Sequence, residues 1–135
     1  DIELCNQFKF NTEDGVGHGE FRGGFGLIRE YELLCDDVSF YCADGRTKTK
    51  PWGIYGGTEG SNNYKIIRSN GKERKITLTP PIKLNKGDTL KIVTASGGGY
   101  GKPENRERKR VLDDLENEFI TPEIAQSVYK LKDVK

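Results

Sequence analysis

Tyr64-Lys65-Ile66-Ile67-Arg68-Ser69-Asn70-Gly71-Lys72-Glu73-Arg74-Lys75-Ile76-Thr77-Leu78-Thr79 is the stretch from which the fold is read. Tyr64 to Arg68 is dense in aromatic and β-branched side chains, which suit a strand. Asn70-Gly71 supplies two residues that tolerate positive φ, the strongest short hairpin signal. The return strand is expected from Glu73 to Thr79, with Ile76 and Leu78 on one face. Pro80-Pro81 should stop the ladder there, because proline has no N–H to donate. Downstream, Asn85-Lys86-Gly87-Asp88 reads as a turn and Thr89 to Thr94 as the last strand. Upstream, Leu27 to Leu34 is rich in aliphatic and aromatic residues. Val38 to Cys42 follows the turn-forming Asp36-Asp37, which predicts a second hairpin. Ile2 to Phe8 reads as a strand already under way.

After Pro103 the period changes. From Glu104 to Asn117 it is helical, with Val111, Leu112, Leu115 and Phe119 as an apolar stripe. Thr121-Pro122-Glu123 is a helix start: Thr caps free N–H groups, Pro fits the first turn, and Glu meets the positive end of the dipole. That helix should run to about Tyr129, with Ile124, Ala125 and Val128 inward. The expected fold class is mainly β: an antiparallel β-barrel or sandwich-like body with glycine-rich loops, followed by two short C-terminal α-helices. Residues 1–103 would form the body and residues 104–135 a helical tail packed on it, in one structural domain.

Composition narrows the function. The chain has 135 residues, of which 22 are Lys or Arg and 21 are Asp or Glu, for a net charge of +1. A nucleic-acid binder of this size carries a clear basic excess, so no large phosphate-reading surface is expected. The hydrophobic share is 33%, enough for a small core only. One Trp, six Tyr and six Phe, with clear β-type runs, argue against disorder. No apolar stretch approaches the ~20 residues that span a bilayer. Cys5, Cys35 and Cys42 read as reduced cytosolic thiols, so a cytoplasmic location is expected. The sequence lacks Met and opens on Asp1, so it is expected to begin at an excision point in something longer.

Glycine makes up 17 of the residues and is clustered in three segments. They are 15–26, 53–60 and 97–101. No Gly-Lys-Ser/Thr or dinucleotide spacing accompanies them, so tight crossings and positive-φ turns are the simpler reading. His18-Gly19-Glu20-Phe21-Arg22 packs a base, a carboxylate and a guanidinium into five residues. It reads either as an acid/base or anion-binding loop or as an Arg–Glu pair that pins a loop. Trp52 could line a pocket or an interface, though a single Trp in a small β domain is more often a core or edge plug. The basic run Arg106 to Arg110 reads as a solvated helix face, offset by Asp113, Asp114, Glu116 and Glu118. The residues contain no self-contained active site.

Gly97-Gly98-Gly99-Tyr100-Gly101-Lys102-Pro103, after a strand and before a charged helix carrying Val111-Leu112, resembles the C-terminal end of the hydantoinase B/oxoprolinase family. That family includes the large subunits of acetone and acetophenone carboxylases. Gly19-Glu20-Phe21-Arg22-Gly23-Gly24-Phe25-Gly26 is similar to its Gly-Lys-Phe/Tyr-Arg-Gly-Gly-Leu-Gly. Pro51-Trp52-Gly53-Ile54-Tyr55-Gly56-Gly57, followed by Asn62-Asn63-Tyr64, is similar to its Pro-Pro-Trp-Gly-Leu-Phe-Gly-Gly and the Asn after it. Thr121-Pro122-Glu123-Ile124-Ala125 with Tyr129 matches the closing motif. Ser96 and Lys102 depart from the family pattern, and Glu20 stands where Lys is common.

The resemblance implies a C-terminal domain or small subunit of an ATP-dependent hydantoinase/oxoprolinase or ketone carboxylase complex. Its partners would be the remaining part of the B-type subunit and an ATPase-like A-type subunit, with no nucleic acid and no membrane. ATP and a divalent metal are implied for the parent complex and no cofactor for this segment; no catalytic residue is carried over. His18, Glu20, Arg22, Gly23, Gly24, Pro51, Trp52, Gly53, Gly56, Gly57, Asn63, Gly97, Gly98, Gly99, Tyr100 and Gly101 are expected as structural or interface loops that brace the substrate chamber. Arg22 and Trp52 are expected to be largely buried, either within the domain or at a subunit contact. The competing expectation is a free-standing β-barrel module that holds a ligand or single-stranded nucleic acid.

Overall fold

The computed structural model describes residues 3–77 and 79–132. Ile2 and Leu78, both assigned to strands above, lie outside the described residues. The strands are β1 (Glu3–Asn11), β2 (Gly26–Leu33), β3 (Val38–Cys42), β4 (Tyr64–Ser69), β5 (Lys72–Ile76), β6 (Thr79–Leu84) and β7 (Thr89–Val93). The helices are α1 (Arg108–Glu116) and α2 (Pro122–Ser127), after a 3-10 turn at Pro103–Asn105. The fold is mainly β, with one sheet in the order β1-β2-β7-β4-β5 and a second made of β3 and β6. No helix among the described residues is long and apolar enough to cross a membrane.

The chain divides into two compact units, each assembled from three stretches. The first comprises Asp1–Asn11, Leu27–Thr49 and Asn62–Ala95 and holds the sheets; the second comprises Thr12–Gly26, Lys50–Ser61 and Ser96–Lys135.

In the first unit the β4–β5 hairpin forms at the expected turn, although β5 ends at Ile76 and Thr79 opens β6 instead of closing the return strand. Asn70 and Gly71 take φ of 51° and 71°, the primed turn whose twist matches the strands. Both Tyr31 and Ile67 lie opposite Leu90, which ties β2, β7 and β4 in antiparallel register. Leu33, Ile67, Leu84 and Leu90 form the buried core, with Val38, Phe40, Ile76, Ile82 and Ile92 packed against it. Residues of both sheets contribute, as in a sandwich.

Two expectations fail here. Asp36-Asp37 does not close a hairpin: β2 lies between β1 and β7, and β3 pairs with β6. The aspartates bond to the next turn instead. Asp36 Oδ1 accepts from the Lys86 N–H at 3.0 Å, and the Asp37 N–H donates to Asn85 Oδ1 at 3.2 Å. Nor do Pro80-Pro81 stop a ladder, since they lie inside β6. A register shift between Phe40 and Cys42 absorbs them, and pairing resumes at Phe40–Ile82. A two-stranded sheet leaves each strand an open edge, where a missing N–H costs nothing.

In the second unit Thr121 caps α2, its hydroxyl accepting from the Ile124 N–H at 3.3 Å. Val111, Ile120, Ala125, Tyr129 and Leu131 form a separate core, with Leu115, Ile124 and Val128 against it. Leu112, expected in the apolar stripe, is 44% exposed, while Asp114 is buried on α1.

Candidate functional site

The three glycine segments come together in the second unit. The Gly97–Gly101 segment has a neighbour on each side. The Gly17 N–H donates to the Gly97 carbonyl at 2.9 Å, and Phe21 and Tyr100 exchange N–H···O bonds of 3.0 and 2.9 Å. On the other side, the Ile54 N–H donates to the Gly99 carbonyl and the Gly101 N–H to the Ile54 carbonyl, both at 2.9 Å. The outer segments also meet: the Thr58 N–H donates to the His18 carbonyl, and the His18 N–H to Thr58 Oγ1, each at 2.7 Å. Backbones this close leave no room for side chains. A Cβ on Gly98 would fall under 3.0 Å from the Trp52 carbonyl, and one on Gly99 under 3.0 Å from that of His18. These glycines are needed for close approach rather than for positive φ.

The zipped segments are anchored to α1 by charge. Arg22 Nε donates to both carboxylate oxygens of Asp114 at 3.1 Å. Arg106 Nη2 donates to Asp114 Oδ2 at 2.8 Å, and its Nη1 to the Glu20 carbonyl at 3.1 Å. Asp114 is 5% exposed, so a desolvated carboxylate is shared by two guanidiniums. The Arg22 guanidinium also lies over the Phe25 and Phe119 rings, at 4.7 and 5.4 Å. One planar cation thus joins a loop, a helix and an aromatic pair.

His18 Nδ1 lies 2.9 Å from the Tyr129 hydroxyl, with the rings edge to face. Burial lowers the His18 imidazole below its ordinary 6.5; Asp114 opposes this, and Arg106 and Arg22 add to it. Burial pushes the Tyr129 phenol up to about 12, although the Arg106 and Arg22 charges work the other way. Both groups are therefore neutral near pH 7. With the phenol protonated, its proton can go to Nδ1. His18 also lines an open depression of about 560 Å³ with Asp14, Lys50, Glu59 and Thr121. Lys50 and Glu59 pair with each other there at 2.6 Å.

Of the expected loop residues, His18, Glu20, Arg22, Gly23, Gly24, Pro51, Trp52, Gly53, Gly56, Gly57, Gly97, Gly98, Gly99, Tyr100 and Gly101 all fall in the second unit. Asn63 falls in the first, where its side-chain amide donates to the Gly45 carbonyl. Arg22 pairs with Asp114 and not with Glu20, so the Arg–Glu pin is not what forms. The Arg22 side chain is largely buried as expected, at 20% exposure, whereas Trp52 is 68% exposed and is no core plug. Arg106 departs from the solvated run and is buried. Asp114 and Arg106 were missed as site residues. The available signal was position: Asp114 stands three residues after Val111, on the inward side of α1.

The chain matches the sequence profile described as Hydantoinase B/oxoprolinase over residues 4–103. It is 37% identical over 129 residues to the B-type subunit of a putative D-/L-hydantoinase of Pseudomonas sp. (strain NS671), covering 92% of this chain and 21% of that protein. Among solved structures, the ATP-dependent caprolactamase of Pseudomonas jessenii superposes with a TM-score of 0.79 at 24% identity, over 95% of this chain and 23% of that one. The nucleotide-free acetone carboxylase superposes with a TM-score of 0.76 at 17% identity, over 96% and 21%. The chain spans about a fifth of the length of two curated relatives that it matches, the Pseudomonas subunit among them.

Proposed function

The chain belongs to the hydantoinase B/oxoprolinase family, and on that premise we propose that it is a C-terminal domain or small subunit of an ATP-dependent hydantoinase/oxoprolinase or ketone carboxylase complex. Its role is to brace the substrate chamber and hold subunit contacts. Its partners are the rest of a B-type subunit and an ATPase-like A-type subunit.

The observation that carries this reading is the Arg22–Asp114–Arg106 cluster clamping the zipped glycine segments to α1. The family's recognisable motifs are spent on close backbone crossings and a buried charge tie, which is how a rigid support is built. Arg22 stacks between its carboxylate and two rings, an arrangement suited to holding rather than to proton transfer. No three of His, Cys, Asp and Glu converge as ligands among the described residues. In this reading ATP and the divalent metal act elsewhere in the complex.

The test is turnover of hydantoin, 5-oxoproline and ATP by the purified chain, alone and after addition of the B-type remainder and an A-type subunit. The chain alone is expected to be inactive and the assembly active. Robust turnover by the isolated chain, abolished by a point change in it, would overturn the proposal.

A further inference from the structure

We propose that Phe21, Ile54, Tyr55 and Tyr100 form a docking face for the remaining four-fifths or so of a B-type polypeptide, an inference that rests on the function proposed above. All four side chains are exposed, at 51%, 45%, 77% and 49%. They come from three stretches far apart in sequence, yet the zipped backbone sets them side by side. Tyr100 is bridged to Phe21 on one side and to Ile54 on the other, and bridged residues present their side chains to the same face. The Tyr100 ring lies 6.3 Å from Phe21 and 5.3 Å from Tyr55.

The face is built and held. Tyr55 takes φ of 51° and Gly56 φ of 95°, and the Gly57 N–H closes the turn on the Ile54 carbonyl at 3.1 Å. That is the two-residue primed turn, and it forces an aromatic residue into a left-handed conformation that aromatic residues rarely adopt. Backbone strain of this kind persists where function uses it. The result is a protruding ring carried on a hydrogen-bonded backbone turn. Around Phe21 the surface turns polar. The Arg110 guanidinium lies 6.0 Å from its ring, beside a cavity of about 170 Å³ shared with Glu20, Asn105 and Glu107. An aromatic centre with a charged rim is the anatomy of a protein–protein contact.

The occupant follows from length and charge. The relatives carry this segment on chains about five times as long, so the remainder is tethered to it at high effective concentration. Such a tether fills the face before a second copy of the segment can. A net charge of +1 gives nucleic acid little hold.

The experiment mixes the 135-residue chain with the B-type polypeptide of the Pseudomonas hydantoinase, shortened by the fifth that the chain matches, and reads affinity by calorimetry. Tyr55→Asn keeps a residue that tolerates positive φ, and Tyr100→Gln keeps polarity and a similar length. Each is expected to weaken binding at least about thirtyfold, the scale of an interface hot spot. Tyr41→Gln, at an exposed aromatic of β3, should change it less than about twofold. Unchanged circular dichroism in each variant confirms the fold. If the wild-type chain binds and all variants bind equally, the face assignment falls and the proposed function stands. If the wild-type chain does not bind, both fall. If the chain self-associates and Tyr55→Asn or Tyr100→Gln makes it monomeric in sedimentation, the face belongs to a second copy and the proposal is overturned.

Discussion

Asp114 has two guanidiniums and almost no water, so its removal leaves Arg106 charged and buried without its counter-ion. Asp114→Ala is expected to destabilise the chain by about 3–5 kcal/mol in urea unfolding. Arg22→Ala should cost about 2–4 kcal/mol, from the lost pair and the lost ring contacts. A loss below about 1 kcal/mol in both would show that the cluster is not a tie. The His18–Tyr129 pair makes a pH prediction with two limbs. His18 has a folded pKa below 6.5, so the unfolded chain binds more protons there and stability falls as pH drops below about 6.5. Tyr129 has a folded pKa of about 12 against an ordinary 10, so stability falls again as pH rises from 10 toward 12. His18→Gln should flatten the acid limb and Tyr129→Phe the alkaline one, both read from denaturation midpoints against pH. His18 and Arg22 could be singled out in the sequence because they sit in a glycine motif. Asp114 and Arg106 could not, because a run of mixed charge on a helix looks solvated until a partner 92 residues away turns it inward.

The elements that local chemistry decides are those the sequence revealed: the Asn70-Gly71 hairpin, the Thr121 cap, the turn before β7. The elements that partners decide are those it hid. Asp36-Asp37 looked like a hairpin turn, but its carboxylate and amide found Lys86 and Asn85 instead. Pro80-Pro81 looked like a stop, but an open edge and a bulge accept them. The glycine segments were visible as segments, while their mutual pairing was not, since glycine carries no side chain to encode register. Their packing is tested by contrast. A Cβ at Gly98 meets backbone under 3.0 Å away, whereas one at Gly24 meets nothing within 4 Å. Gly98→Ala is expected to cost about 3 kcal/mol or more, the upper end of overpacking. Gly24→Ala should be within about 1 kcal/mol of neutral. Equal effects in thermal unfolding would mean the segments are not zipped.

At the scale of the whole molecule, 33% hydrophobic residues serve two separate small cores. A chain so built is expected to gain stability from its partners by mass action. At a hundredfold excess over Kd, the B-type remainder should raise the melting midpoint on the order of 5–10 °C in calorimetry. An unchanged midpoint would count against an obligate assembly role. The fold class was legible from the strand runs, and the three-stretch makeup of each unit was not, because no local signal marks which distant stretch a loop will join. That makeup sets the timetable of synthesis. The segments around Gly17 and Gly57 leave the ribosome without the Gly97–Gly101 segment that lies between them, and the α1 carboxylate that ties Arg22 emerges later still. Until then the two outer stretches have only their His18–Thr58 bonds to each other, and the amides of Gly17, Phe21 and Ile54 wait without the carbonyls that take them. The last third of the chain is therefore the keystone of its own folding, and nascent chains halted before Ser96 should be the ones that proteases cut and chaperones hold.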